Sequence, residues 1–185
     1  MNIIVACSRN LGIGMKNNLP WRLKADMLYF KDKTIGSGQN AVIMGKNTWK
    51  SLPKKPLQGR ENLILSTSLE NQEGAHVFNN TDTLLEYVNK IKYDNIWVIG
   101  GEAVYEEFMN NNLVERIYLT KIHHDYECDT FLPKIPQNFH KTWESDIRKE
   151  NNIEYSYCLL KNSDKKFHIS NKKNMHKLNH NMGYQ

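Results

Sequence analysis

Four short apolar runs constrain what this chain can fold into. Asn2–Ser8, Ala41–Gly45, Asn62–Thr67 and Asn95–Ile99 are rich in Ile, Val and Leu. They are mostly unbroken by charge, as expected of strands buried on both faces. Between them the period changes. From Leu23 to about Lys33 the spacing is helical, with Leu23, Met27 and Phe30 on one face. Lys46–Leu52 reads as a short helix ending before Pro53. Ala75–Phe78 is a further short strand, the fourth in chain order, and a helix capped by Thr81 or Asp82 runs through Leu84, Leu85, Val88 and Ile91. A helix to about Met109 follows Gly100–Gly101. Arg116–Ile122, His140–Ile147 and Ile153–Lys161 then read as strands with no helix between the last two. Alternation followed by consecutive strands predicts an α/β fold: a mostly parallel sheet flanked by helices, with an antiparallel C-terminal hairpin.

At roughly 100–200 residues per domain, 185 residues make one domain with room for a tail. The net charge of +5 points to nucleic acid only until it is located. Residues 162–185 hold five lysines and one acid, leaving 20 basic against 19 acidic residues for the other 161. The body, 1–161, is therefore nearly neutral, which argues against a basic nucleic-acid-binding face. The tail has six apolar residues among 24 and no period, and reads as solvated and disordered. No run is long and apolar enough for a membrane helix. The N-terminus reads as a strand, not a signal peptide. Cys7, Cys128 and Cys158 are too scattered for a disulfide framework or a CxxC site. A reducing, cytoplasmic setting and a monomer are the expectations.

Three features could carry chemistry. Gly100–Gly101 directly follows the strand IWVI. Two glycines there let a ligand approach the backbone, and the next helix offers unpaired N–H groups to phosphate. A tight strand-to-helix turn would use the same pair. Gly45–Lys46 ends another strand in the same way, although neither GxGxxG nor the P-loop pattern is present. Asp26 lies on the helix face expected to be buried, where a carboxylate needs a partner and its pKa rises; a rotated helix would expose it instead. Pro20–Trp21 anchors a glycine-containing loop beside it. Arg60, in the loop PLQGR, could clamp a carboxylate or simply be solvated. The cluster HHDYECD (123–129) looks metal-like, but adjacent histidines on a strand point apart, so no metal is expected.

Taken in order, seven segments resemble the dihydrofolate reductase family over residues 2–161. They are IVACSRNLGIGMKNNLPW (4–21), RLKADMLYF (22–30), VIMGKNTWKSLP (42–53), PLQGRENLILS (56–66), IWVIGGEAVYEEF (96–108), IYLTKI (117–122) and ECDTFLP (127–133). The resemblance implies that family's fold and an oxidoreductase that reduces 7,8-dihydrofolate to 5,6,7,8-tetrahydrofolate with NADPH. That reaction serves one-carbon metabolism and thymidylate synthesis, and the family's ligands include antifolates.

It also assigns residues. Asp26 matches the acidic residue that pairs with the pterin, Trp21 the tryptophan holding a water beside it, and Thr120 the threonine bonded to it. Ile4, Ala6 and Ile99 match positions whose backbone meets pterin or nicotinamide. Met27, Phe30, Leu52 and Leu57 match the walls around the folate benzoyl ring, and Arg60 the clamp on the glutamate carboxylate. Ile13, Gly45, Lys46, Thr48, Leu65, Ser66, Thr67, Gly100, Gly101 and Tyr105 fall where the family binds the dinucleotide. Residues 10–21 match a mobile loop, and Asp129 lies where a second loop touches it.

The chain departs from the family where several arginines often surround the 2′-phosphate of NADPH. Here those positions hold Lys46, Thr67, Asn80 and Ala103, with Glu102 nearby. Lysine and hydroxyls make a weaker anion site than arginine. The length predicts no fused thymidylate synthase. The rival readings are a reductase of another pterin or of a riboflavin precursor, and an idle member that binds nucleic acid through its tail.

Overall fold

The computed structural model describes residues 1–165. Its centre is a sheet made from the apolar runs: β1 (Asn2–Cys7), β3 (Ala41–Gly45), β4 (Glu61–Leu65), β5 (Ala75–Phe78), β6 (Ile96–Gly100) and β7 (Arg116–Ile122). All six run parallel, and the sheet continues into β11 (Ile153–Asn162), antiparallel to β7. β9 (Phe139–Glu144) and β10 (Arg148–Glu150) share the far edge of β11, giving the order β10-β11-β7-β1-β6-β3-β4-β5 with β9 beside β10. The expected architecture is the observed one.

Alternate residues of the central strands serve opposite faces. Ile3, Val5, Ile43, Leu63, Val98, Ile117 and Leu119 pack with Leu84 and Val88 of α3 (Thr81–Asn89) and with Val104, Phe108 and Met109 of α4 (Glu102–Asn110). Ile4, Val42, Met44, Ile64, Trp97 and Ile99 face the other way. They meet Trp49 of α2 (Lys46–Ser51), Tyr29 and Phe30 of α1 (Lys24–Ile35), Leu52 and Leu57. A third cluster joins Trp21, Leu23, Ile122, Tyr155 and Tyr157 at the β7–β11 side.

Several local expectations are corrected. Residues 10–21 are not all loop: β2 (Gly12–Gly14) pairs with β8 (Thr130–Phe131). α3 is capped by Asn80, whose side chain accepts from the Thr83 N–H, rather than by Thr81 or Asp82. The stretch 140–147 is not one strand, because β9 ends at Glu144 and β10 begins at Arg148. The third strand ends at Leu65, short of Thr67. Met27 does not join Leu23 in the core: it is 56% exposed, because α1 packs on the sheet through Tyr29 and Phe30 instead. Asn162 belongs to the fold, not the tail: it is buried, and its amide donates to Asn112 Oδ1 and the Val114 carbonyl. The expectation for the rest of the tail lies outside the described residues from 166 on.

Candidate active site

Parallel strands end together, so whatever follows them shares one edge of the sheet. In open α/β sheets that carboxyl edge is where ligands bind. Here β1, β3, β6 and β7 are neighbours, and most residues singled out from sequence lie near their ends or on the adjoining helix, while Leu57 and Arg60 precede β4 and lie towards its amino end.

Asp26 stands in the first turns of α1, and its Oδ1 accepts from Thr120 Oγ1 at 2.6 Å. Thr120 lies on β7, in register with Ala6 on β1 and Tyr157 on β11. A helix carboxylate is thus tied to the middle of the sheet. Burial pushes the Asp26 carboxyl above the ordinary carboxylate range; the Thr120 hydrogen bond opposes that, and the negative charge of Glu150 adds to it. Trp21 is buried against Leu23, Tyr155 and Tyr157, with its ring 5.3 Å from that of Tyr126. Its indole N–H is buried and has no partner among the described residues. Tyr29 and Tyr157, with ring centroids 4.3 Å apart, both feel the Asp26 charge, and burial first of all raises their pKa values, that of Tyr29 to about 12.

Gly100–Gly101 is a cis peptide at the end of β6. Gly100 has φ +112°, a conformation glycine adopts freely, and a Cβ there would sit 3.0 Å from the Tyr105 ring. Tyr105 is buried, and its hydroxyl donates to the Ile4 carbonyl at 3.1 Å, which ties α4 to β1 beneath the turn. Gly101 precedes α4 and Gly45 precedes α2. A Cβ on Gly45 would lie 3.2 Å from Val104 Cγ2, so the two strand-to-helix turns are packed side by side. Thr48 faces Gly101: its Oγ1 lies 3.6 Å from where a Gly101 Cβ would be. Lys46 Nζ donates to Ser68 Oγ at 2.7 Å, while Ser66 Oγ accepts from the N–H groups of Ser68 and Leu69. Lys46, Ser66 and neighbouring Thr67 and Leu65 therefore cluster at the ends of β3 and β4.

The Arg60 guanidinium is held by Thr34 Oγ1 at 2.7 Å and by the Gln58 carbonyl at 3.0 Å, and burial lowers its pKa. Phe30, Leu52 and Leu57 pack on the α1 side of the sheet against a cluster that includes Ile4 and Ile99. Ile13 lies on β2, and the loop there is latched to Asp129, which accepts from the Lys16 N–H at 2.8 Å.

Other residues with no obvious sequence signal hold these in place. Asn62 grips the Leu57–Arg60 loop with three hydrogen bonds. Thr34 steers Arg60, and Glu150 reaches α1 from across the sheet. An asparagine inside an apolar run was the one available hint, since a buried amide needs partners. Among the described residues no His, Cys, Asp and Glu group could hold a metal ion, and no helix is long and apolar enough to cross a membrane. His123 meets Ser156 Oγ at 3.0 Å.

A half-buried carboxylate on α1 and two glycine-lined turns at the carboxyl ends of β3 and β6 thus stand on one α/β sheet. The chain belongs to the dihydrofolate reductase family: residues 1–163 match the family model described as Dihydrofolate reductase. It is 39% identical over 176 residues to the dihydrofolate reductase of Drosophila melanogaster, covering 86% of this chain and 96% of that protein. To that of Gallus gallus it is 38% identical over 182 residues, covering 88% and 96%. To the viral dihydrofolate reductase of Saimiriine herpesvirus 2 (strain 488) it is 40% identical over 177 residues, covering 85% and 82%.

Proposed function

We infer that this protein reduces 7,8-dihydrofolate to 5,6,7,8-tetrahydrofolate with NADPH, and that the crevice at the carboxyl ends of β1, β3, β6 and β7 is where it does so. The observation that carries the site is the Asp26 carboxyl: half-buried, hydrogen-bonded to Thr120 on β7, and raised in pKa by desolvation.

The residues present fit a dinucleotide. Gly101 leaves backbone open beside the first turn of α4, with Thr48 Oγ1 the one near atom, and Lys46, Ser66 and Thr67 put a cation and hydroxyls together for phosphate. When bound, NADPH supplies the hydride that goes to C6 of the pterin. The protein's own residues do the rest. Asp26 pairs with the pterin N3 and 2-amino group and favours the protonated ring, while the Trp21 indole N–H holds the water that carries the proton to N5. Ile4, Ala6 and Ile99 meet the rings through backbone. Met27, Phe30, Leu52 and Leu57 wall the benzoyl group and exclude water, and Arg60, already oriented by Thr34 and Gln58, clamps the glutamate carboxylate. Ile13, on the β2 loop, covers the nicotinamide, and Gly45, Leu65 and Tyr105 shape the rest of the dinucleotide groove.

The test is the loss of reduced-nicotinamide absorbance with dihydrofolate, using NADPH and then NADH. Rapid loss with NADPH is the expected outcome. Because one lysine and hydroxyls replace an arginine cluster, the NADPH preference should be modest, about tenfold. No loss with either cofactor from folded protein would overturn the reading.

A further inference from the structure

We propose that Glu150 is a positioning residue for this reduction: from the C-terminal hairpin it holds the first turn of α1, aims Asp26 at Thr120 and keeps a second negative charge beside it. The inference rests on the reading of Asp26 given above.

α1 begins without a cap of its own. Leu23 stands at the N-cap, has an extended backbone and cannot accept a hydrogen bond through its side chain. The first helical N–H groups would go unpaired. Glu150 takes two of them: Oε1 accepts from the Lys24 N–H at 2.7 Å and Oε2 from the Ala25 N–H at 3.0 Å. A carboxylate bridging two successive amides sets the helix's rotation as well as its end. The next residue is Asp26.

That grip closes a ring of contacts. Glu150 pairs with Ile153 across the β10–β11 turn, β11 pairs with β7 so that Tyr157 faces Thr120, and Thr120 bonds Asp26. α1 is therefore pinned to the same sheet at two points. Burial does little to replace those pins, since Thr34 is the one fully buried residue within α1. The charge also matters: Glu150 reinforces the rise in the Asp26 pKa that burial causes, while its own carboxyl is held below the ordinary range by the two amides. The other groups facing Asp26 are Thr120, Tyr29 and Tyr157. Lys24 lies beside Glu150, and Arg148 lies over the Tyr157 ring.

Glu150→Gln keeps the shape and removes the charge; Glu150→Asp keeps the charge and shortens the reach. The Asp26 carboxyl is titrated by carbon-13 NMR on the full chain, with Asp26→Asn to assign its signal. The pH dependence of kcat/KM and the thermal melt are recorded alongside. Glu150→Gln is expected to lower the Asp26 midpoint by about half a pH unit, as expected for loss of one nearby charge in a partly screened site. The corresponding limb of the kcat/KM profile should move to lower pH by the same amount, and its plateau should fall by about threefold or more as the carboxylate loses its aim. Glu150→Asp is expected to leave the midpoint near its wild-type position. Should Glu150→Gln fail to fold, a Glu150→Asp chain whose midpoint holds while kcat/KM falls supports the inference.

A lower melt with the midpoint and kcat/KM unmoved overturns it and leaves Glu150 a helix cap only. Full activity of Asp26→Asn would instead bring down the reading of Asp26, on which the NMR titration does not depend.

Discussion

The two faces of the sheet are finished differently. Under α3 and α4 every large side chain has a neighbour: Leu84 and Phe108 are wholly buried, and Val88 and Met109 nearly so. On the other face the strand residues Ile4, Val42, Met44 and Ile64 are just as buried, but the helix over them is thinly packed: in α1, Met27 and Leu28 are exposed and Asp26 and Phe30 half-buried. The first face is built for burial, which is non-directional and roughly proportional to area. The second buries its strands equally but leaves part of its covering helix, which carries a carboxylate, open to solvent. That carboxylate stays in a poorly solvated place at a cost in stability.

The largest expected effect separates the faces by stability. Phe108→Ala should cost about 3–5 kcal/mol in denaturant unfolding, with little change in KM for the protein that stays folded. Phe30→Ala, on the thin face, should cost only about 1–2 kcal/mol and raise the KM for dihydrofolate several-fold. If both variants lost stability equally, the contrast between the faces would be wrong.

A smaller effect has the opposite sign. The folded pKa of Asp26 lies above its unfolded value, so between the two the native chain binds more protons than the unfolded chain. Stability therefore falls as pH rises through that window. Asp26→Asn removes this penalty and should melt about 2–4 °C higher than wild type at pH 7. The gap should close as the pH drops below the ordinary carboxylate range.

The smallest effect belongs to the hairpin edge. Glu144 is paired with Lys141 and Lys121, which hold its carboxyl at about 2. Its contribution is present above the ordinary value of 4.5 and is lost as pH falls towards 2. The pair is largely solvent-screened, so Glu144→Gln should cost less than about 1 kcal/mol and leave the rate unchanged.

The apolar runs made the sheet legible, because a strand buried on both faces leaves a nearly unbroken Ile/Val/Leu signature. They also made Gly100–Gly101 and Gly45 legible as strand-end turns. Asp26 was visible as a carboxylate out of place on a helix. What was not legible came from partners far apart in the chain. β2 is too short to show a period and exists because β8 pairs with it. The exposure of Met27 follows from α1 meeting the sheet through Tyr29 and Phe30, a rotation the period alone does not fix. Glu150 looks like an ordinary charge near a turn until the hairpin brings it 126 residues back to Lys24. The cap at Asn80 was missed by one or two residues, since Thr81 and Asp82 are equally good cap chemistry.

The proposed reduction turns on the half-buried Asp26 carboxyl. The measurement that tests it most directly is the pH–rate profile of NADPH oxidation with dihydrofolate for wild type and Asp26→Asn. The variant is predicted to be slower by about a hundredfold or more at pH 7 and to recover part of that loss as the pH falls and solvent protonates the pterin. Full activity at pH 7, with a profile matching wild type, would contradict it.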